Sequence, residues 1–260
     1  MSIIAPEGGR GLQLEALPLW DVTGVLQPGV PSGGGFVMST DAGAAAARLS
    51  LQQFSLDELA VYTAEGAFGP TASPDFRVFY VGRDDVHGIL MYLFTRVSLS
   101  VKMNMFGYDD NDLNTALMDL VQNPSVMVQV TLDRSQAGGP AERAILSGDA
   151  SQDSAGYAND FVVGESATDQ ISHTKGGVLD GIVAFEGSTN WSSSGEGTGI
   201  SLAAAKQSPG FKAQNNTLAV YVNSYEIAKF AARLDYEHAV AKAQGQRAAP
   251  APAAAPAGSE

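Results

Sequence analysis

The sequence predicts an α/β fold, a mixed sheet flanked by helices, and three observations lead there. Across residues 76–235 the apolar positions alternate between a period of two and a period of 3.6, the mark of strands interleaved with helices. A chain of 260 residues, 45% hydrophobic and 17% charged, has the composition of a globular protein and the length to bury a core. No stretch of about 18 consecutive apolar residues occurs, so no membrane-spanning helix is expected.

Taken in order, residues 76–81 read as a strand. Asp84 and Asp85 then open a helix with Val86, Ile89, Leu90, Leu93, Phe94 and Val97 on one face, the acids standing at the favourable end of the helix dipole. Leu99, Val101, Met103 and Met105 alternate with polar residues as a half-buried strand. A second amphipathic helix follows the acids at 109–112 with Leu113, Ala116, Leu117, Leu120 and Val121, and Asn123-Pro124 ends it. Residues 126–132 form a strand, Pro140 starts a weaker helix through Ala144 and Ile145, and a further strand lies near Phe161. A hairpin comes next, then a strand over 217–222. The last helix is capped by Ser224 and presents Ile227, Phe230, Ala231, Leu234, His238 and Ala241.

Three regions follow from this reading: a Gly/Pro-rich extension over 1–75, the α/β domain over 76–242 and a disordered Ala/Pro tail over 243–260. The extension reads as irregular structure with some strands and a short helix after Ser55 carrying Leu56, Leu59 and Ala60. Gly33-Gly34-Gly35 lacks the lysine and helix of a phosphate loop and reads as a flexible turn.

Composition narrows the chemistry. With no cysteine there can be no disulfide, thiolate zinc site, iron–sulfur cluster or cysteine nucleophile. Only His87, His173 and His238 are present, so neither a histidine-rich metal site nor a cofactor is expected. The N-terminus lacks a basic opening and an apolar core, which leaves a cytoplasmic protein as the expectation. A net charge of -13 argues against a broad basic face for duplex DNA. Arg77, Arg83, Lys102, Arg134, Lys206 and Lys212 remain as scattered candidates for a local basic rim.

The chemistry concentrates in residues 172–191. Asp180-Gly181 between two apolar runs favours a type I′ two-residue turn. In that register Lys175 faces Glu186, His173 faces Ser188, and Asn190 lies beside Ile171. Alternation then places His173, Lys175, Ser188 and Asn190 on one side of the ribbon. An ammonium, two neutral donors and an imidazole suit a phosphoryl group: the first three hold its oxygens, and the imidazole attacks phosphorus or carries a proton.

These residues match HxKxxxxDxxxxxxGSxN at all six fixed positions, and the segment resembles the signature of the phospholipase D superfamily. A chance match in a chain this long is on the order of one in a million. The elements upstream are similar to those that usually precede the motif, so the resemblance covers roughly residues 76–235. It implies a phospholipase D-like mixed sheet with one motif per chain, close to the bacterial endonuclease branch. It also implies a metal-independent phosphodiesterase working through a phosphohistidine, with His173 as nucleophile, Lys175 and Asn190 holding phosphate, Ser188 supporting, and Asp180 completing the motif in a structural or electrostatic role.

The family brings two motifs together, whereas this chain has one. The resemblance therefore implies a homodimer with two His173 side chains across the axis. His87 and His238 lie in helical patterns without surrounding motif and read as packed or surface histidines. One departure stands out: relatives often carry Asn-x-Glu downstream to orient the histidine, and here 214–217 offer Asn215 and other amides without a carboxylate, which implies lower activity. Glu186 is a candidate to supply that charge or a plain cross-strand partner, and Trp191 a candidate to line the cleft or to pack in the core. The expected substrate is DNA or RNA. Phospholipid headgroups are the alternative, without stable membrane insertion because no basic amphipathic helix is present. A third reading is a catalytically weak or inactive dimerisation or binding module.

Overall fold

The computed structural model describes residues 50–136, 139, 143, 160–198 and 212–248. Among these, seven strands form one mixed sheet: β1 (Phe76–Tyr80), β2 (Ser100–Met105), β3 (Met127–Asp133), β4 (Asp160–Gly164), β5 (Lys175–Leu179), β6 (Val183–Gly187) and β7 (Thr217–Tyr221). Their order is β1-β7-β6-β5-β2-β3-β4, with β2, β3 and β4 parallel and every other pairing antiparallel. This is the α/β mixed sheet that the periodicity predicts.

Helices α1 (Val86–Phe94) and α2 (Asn111–Val121) pack on one another, and α2 reaches β3. The short α3 (Ser193–Glu196) follows β6, and the long α4 (Ser224–Ala248) lies across β2 to β6. Along β6, Val183 and Phe185 join the main apolar core while Ala184 joins a second cluster with Ile227 and Leu234 of α4. Strand alternation thus sets α4 on the face opposite the main core. Because β5 has neighbours on both edges and apolar cover on both faces, all five of its residues are buried.

Helix starts follow the acids. Asp85 accepts the Gly88 amide at 2.8 Å and Asp110 the Leu113 amide at 2.8 Å, each satisfying an otherwise open amide of the first turn. At α4 the side-chain acceptor is Asn223, which takes the Glu226 amide at 3.2 Å, and not the expected Ser224. The apolar stripe of α4 agrees with the periodicity: Ile227, Leu234, His238 and Ala241 are all buried.

Two boundaries shift. Residues 50–75 contain no strand; they form two 3₁₀ turns, Leu51–Gln53 and Leu56–Tyr62, the second held by a capping box between Ser55 and Glu58. Leu51, Leu56 and Leu59 lie inside the main core, and Asp57 pairs with Arg77 at 2.9 Å. The limit expected at residue 75 therefore falls within a packed body. At the other end α4 continues to Ala248, past the tail expected from 243, and the rest of that tail lies outside the described residues. The helix expected from Pro140 through Ala144 and Ile145, and the turn at Gly33 to Gly35, also lie outside them. Among the described residues no helix is long and apolar enough to cross a membrane.

If residues 50–62 belong to the core, Leu59→Ala should cost about 2–5 kcal/mol by urea unfolding. Val61→Ala, two residues away on the exposed side, should stay within about 0.5 kcal/mol of the parent.

Candidate active site

The hairpin forms where the sequence places it. Asp180 and Gly181 both have positive φ, 52° and 70°, and the Ile182 amide donates to the Leu179 carbonyl at 3.1 Å. The ladder beyond the turn is shifted by one residue, with Leu179 opposite Val183 and Gly176 opposite Glu186. Ile182 is the extra residue, carried between turn and strand because its side chain packs against the main core. The expected pairs of Lys175 with Glu186 and of His173 with Ser188 are therefore corrected: Glu186 stands beside Gly176, and the one-face argument for the four motif residues does not hold as a ladder.

The Asp180 carboxylate is consumed by the start of β2. It accepts the amides of Ser98 at 3.0 Å, Leu99 at 2.8 Å and Ser100 at 2.9 Å, and the Ser98 hydroxyl at 3.0 Å. It sits at the far end of β5 from Lys175, roughly 17 Å away for five extended residues. Its work is to pin the hairpin to β2, apart from any phosphate held at the other end.

At that other end, Lys175 is buried while the His173 ring is exposed. The Lys175 Nζ donates to the His173 carbonyl at 2.9 Å and lies 4.8 Å from the centre of the Phe106 ring. Phe106, the residue after β2, meets the imidazole edge-on with ring centres 4.6 Å apart. Partial desolvation and the Lys175 ammonium hold the His173 pKa below the ordinary imidazole value, with Asp133 opposing them. Burial likewise lowers the Lys175 pKa, again opposed by Asp133.

His173 and Lys175 line a cavity of about 370 Å³ together with Thr174, Glu186, Gly187 and Thr217. On its other side His173 borders a second cavity of about 470 Å³ walled by Arg233, Tyr236 and Glu237 of α4. Ser188 lines neither; its hydroxyl accepts the Thr217 amide at 3.0 Å. Asn190 packs on Gly107, where an added Cβ would come within 3.0 Å of its Cγ, and its Oδ1 is buried without a hydrogen-bond partner. Since Gly107 follows Phe106, the amide stands at the same end of the sheet as the His173–Lys175 pair, but like Ser188 it borders neither cavity.

Asp133 was not singled out by the sequence. Fully buried at the end of β3, it accepts the Ser172 amide at 2.5 Å and the Ser135 amide at 2.9 Å, gripping the backbone next to His173. The signal available was an acid closing an otherwise apolar strand.

The other candidates fall elsewhere. Trp191 is fully buried between Phe94 and Tyr108, each ring centre 5.0 Å away, so it is a core residue and does not line the cleft. Asn215 is exposed and borders neither cavity. Glu186 does border the smaller cavity, and partial burial together with Glu226 raises its pKa. His238 is packed in α4 with Nδ1 3.1 Å from the Thr131 hydroxyl, while His87 binds Glu196 at 2.6 Å. Of the scattered cations, Arg77, Arg83, Lys102 and Arg134 each pair with an acid, Lys212 is exposed, and Lys206 lies outside the described residues.

No family model matches the chain, and no curated protein matches it. Among solved structures it is similar to Nuc from Salmonella typhimurium, a phospholipase D family member, at 16% identity and a TM-score of 0.47, covering 62% of this chain and 92% of that one. It is similar to NucT from Helicobacter pylori at 16% identity and 0.45, covering 62% and 94%, respectively. Phosphatidylserine synthase from Haemophilus influenzae Rd KW20 follows at 12% and 0.45, with 62% of this chain against 38% of that one. These are likenesses of chain path at low identity, and the chemical reading rests on the residues of the hairpin.

Two outcomes follow. In a proton NMR titration the His173 ring should titrate below 6.5, and Lys175→Met should move its midpoint upward by removing a neighbouring cation. Asp180→Asn, which keeps the shape of the turn residue, should destabilise the fold by about 1–3 kcal/mol in chemical denaturation because a charged acceptor of three amides is lost.

Proposed function

We propose that this protein hydrolyses phosphodiesters through a phosphohistidine on His173, acting on nucleic acid as a homodimer. The observation that carries the reading is an exposed imidazole, its pKa lowered by partial desolvation and the neighbouring cation, beside a buried ammonium held on the same segment and facing the same cavity. A ring nitrogen of His173 attacks phosphorus, forming the P–N bond while the bond to the leaving oxygen breaks. Lys175 and Asn190 are the donors assigned to the other phosphate oxygens, where they would meet the developing charge. Water then attacks phosphorus, the P–N bond breaks, and His173 is restored.

The leaving oxygen needs a proton and the attacking water must lose one. His87 and His238 are engaged with Glu196 and Thr131, which supports a second copy of His173 as the acid and base. The negative charge of the chain, and the pairing of Arg77, Arg83 and Arg134 with acids, favour a substrate gripped at one phosphate over one held along a duplex.

The test is intact-mass analysis after mixing with a chromogenic phosphodiester, beside sizing in solution and cleavage assays on DNA and RNA oligonucleotides. A phosphorylated adduct mapped to His173, a dimer, and a fall of roughly a thousandfold or more in kcat for His173→Ala are expected. Absence of the adduct together with wild-type turnover in His173→Ala would overturn the reading. Silence on oligonucleotides with headgroup release from phosphatidylcholine vesicles would move the substrate to lipid.

A further inference from the structure

A second cluster of chemistry-bearing groups shares no residue with the hairpin site. His87 is the second residue of α1, Asp110 caps α2, and Glu196 ends α3, so three elements distant in sequence converge. His87 Nδ1 is 2.6 Å from Glu196 Oε2 and 3.6 Å from Asp110 Oδ2, and one donor atom from each residue lies within 4.8 Å of the others.

Each donor is prepared for a further bond. Asp110 uses Oδ1 for the Leu113 amide and leaves Oδ2 turned to the cluster. Glu196 is 1% exposed, and its Oε1 is buried without any hydrogen-bond partner. Two buried carboxylates thus converge on one imidazole, and the described fold offers Glu196 Oε1 no donor. An uncompensated buried carboxylate oxygen is among the costlier things a fold can hold.

We propose that His87, Asp110 and Glu196 hold a divalent first-row transition metal ion, with Zn²⁺ as the representative cation. One imidazole nitrogen and carboxylate oxygens are the donor set of that class, whose bonds run to about 2.0–2.2 Å. Binding replaces the hydrogen bond between His87 and Glu196: the one proton shared between Nδ1 and Glu196 is released to solvent while a second stays on Nε2, Nδ1 and a Glu196 oxygen each bond the ion, and Asp110 supplies a third ligand. The proton kept on Nε2 lies on the side of the exposed Asp112 carboxylate, 3.7 Å away. The ion ties α1, α2 and α3 together, independently of the chemistry at His173.

The test is calorimetric titration of the chelator-treated, dialysed full chain with ZnCl₂, read beside native mass spectrometry and the visible spectrum of a Co²⁺ titration. One ion per chain is expected, with release of protons that scales with buffer ionisation enthalpy. Asp110→Asn retains a side-chain acceptor for the α2 cap, so it folds, and should weaken the affinity about tenfold or more. Glu196→Gln should do the same, and His173→Ala should leave uptake unchanged. Failure of the parent chain to take up one equivalent overturns the proposal, as does parent-like affinity in both variants or loss of uptake in His173→Ala.

Discussion

One carboxylate holds the hairpin in place. Asp180 gathers three consecutive backbone amides at the entrance to β2, and its own amide donates to the Ser100 carbonyl at 2.8 Å. Charge-assisted bonds of this kind are the stronger ones available to a chain, and here they clamp the turn to the neighbouring strand. With that end fixed and both edges of β5 paired, the strand has no freedom to slide, and its opposite end delivers Lys175 and His173 to a set position. The chemistry sits at one end of a strand and the anchor at the other.

The delivered groups differ in exposure, and that difference gives the site its character. Lys175 loses water and gains a carbonyl and an aromatic face, while His173 keeps access to solvent and leans edge-on against the same Phe106 ring. A partly desolvated ammonium beside an imidazole biases the ring to its free base, the form able to attack phosphorus. The charge of buried Asp133, which also accepts the Ser172 amide, opposes the effect from behind. A carboxylate near the histidine is thus present, although the downstream position at Asn215 offers none.

Much of this was legible in the residues. Capping acids and apolar stripes located α1, α2 and α4, and a dipeptide located the turn, because these signals are local and follow from backbone geometry. The ladder register was not legible, since it depends on whether Ile182 finds a place in the core, which is a tertiary fact. The sequence left Trp191 open between cleft and core, and the seating of residues 50–62 escaped it, for a related reason: a lone aromatic after a motif, or three leucines spaced along a polar stretch, shows its burial only once its partners have folded around it. The His87, Asp110 and Glu196 cluster is assembled from three separate elements and has no linear spacing to betray it.

The manner in which the stretch before β1 is seated also bears on how the protein can be dissected. Leu51, Leu56 and Leu59 fill the main core, while Asp57 and Glu58 meet Arg77 and Arg96, both of which are themselves buried. Trimming the gene so that translation begins at the first strand would strip those arginines of their counter-charges and uncover a greasy hollow in one step. Recombinant versions that begin upstream of Ser50 would preserve both halves of that seal.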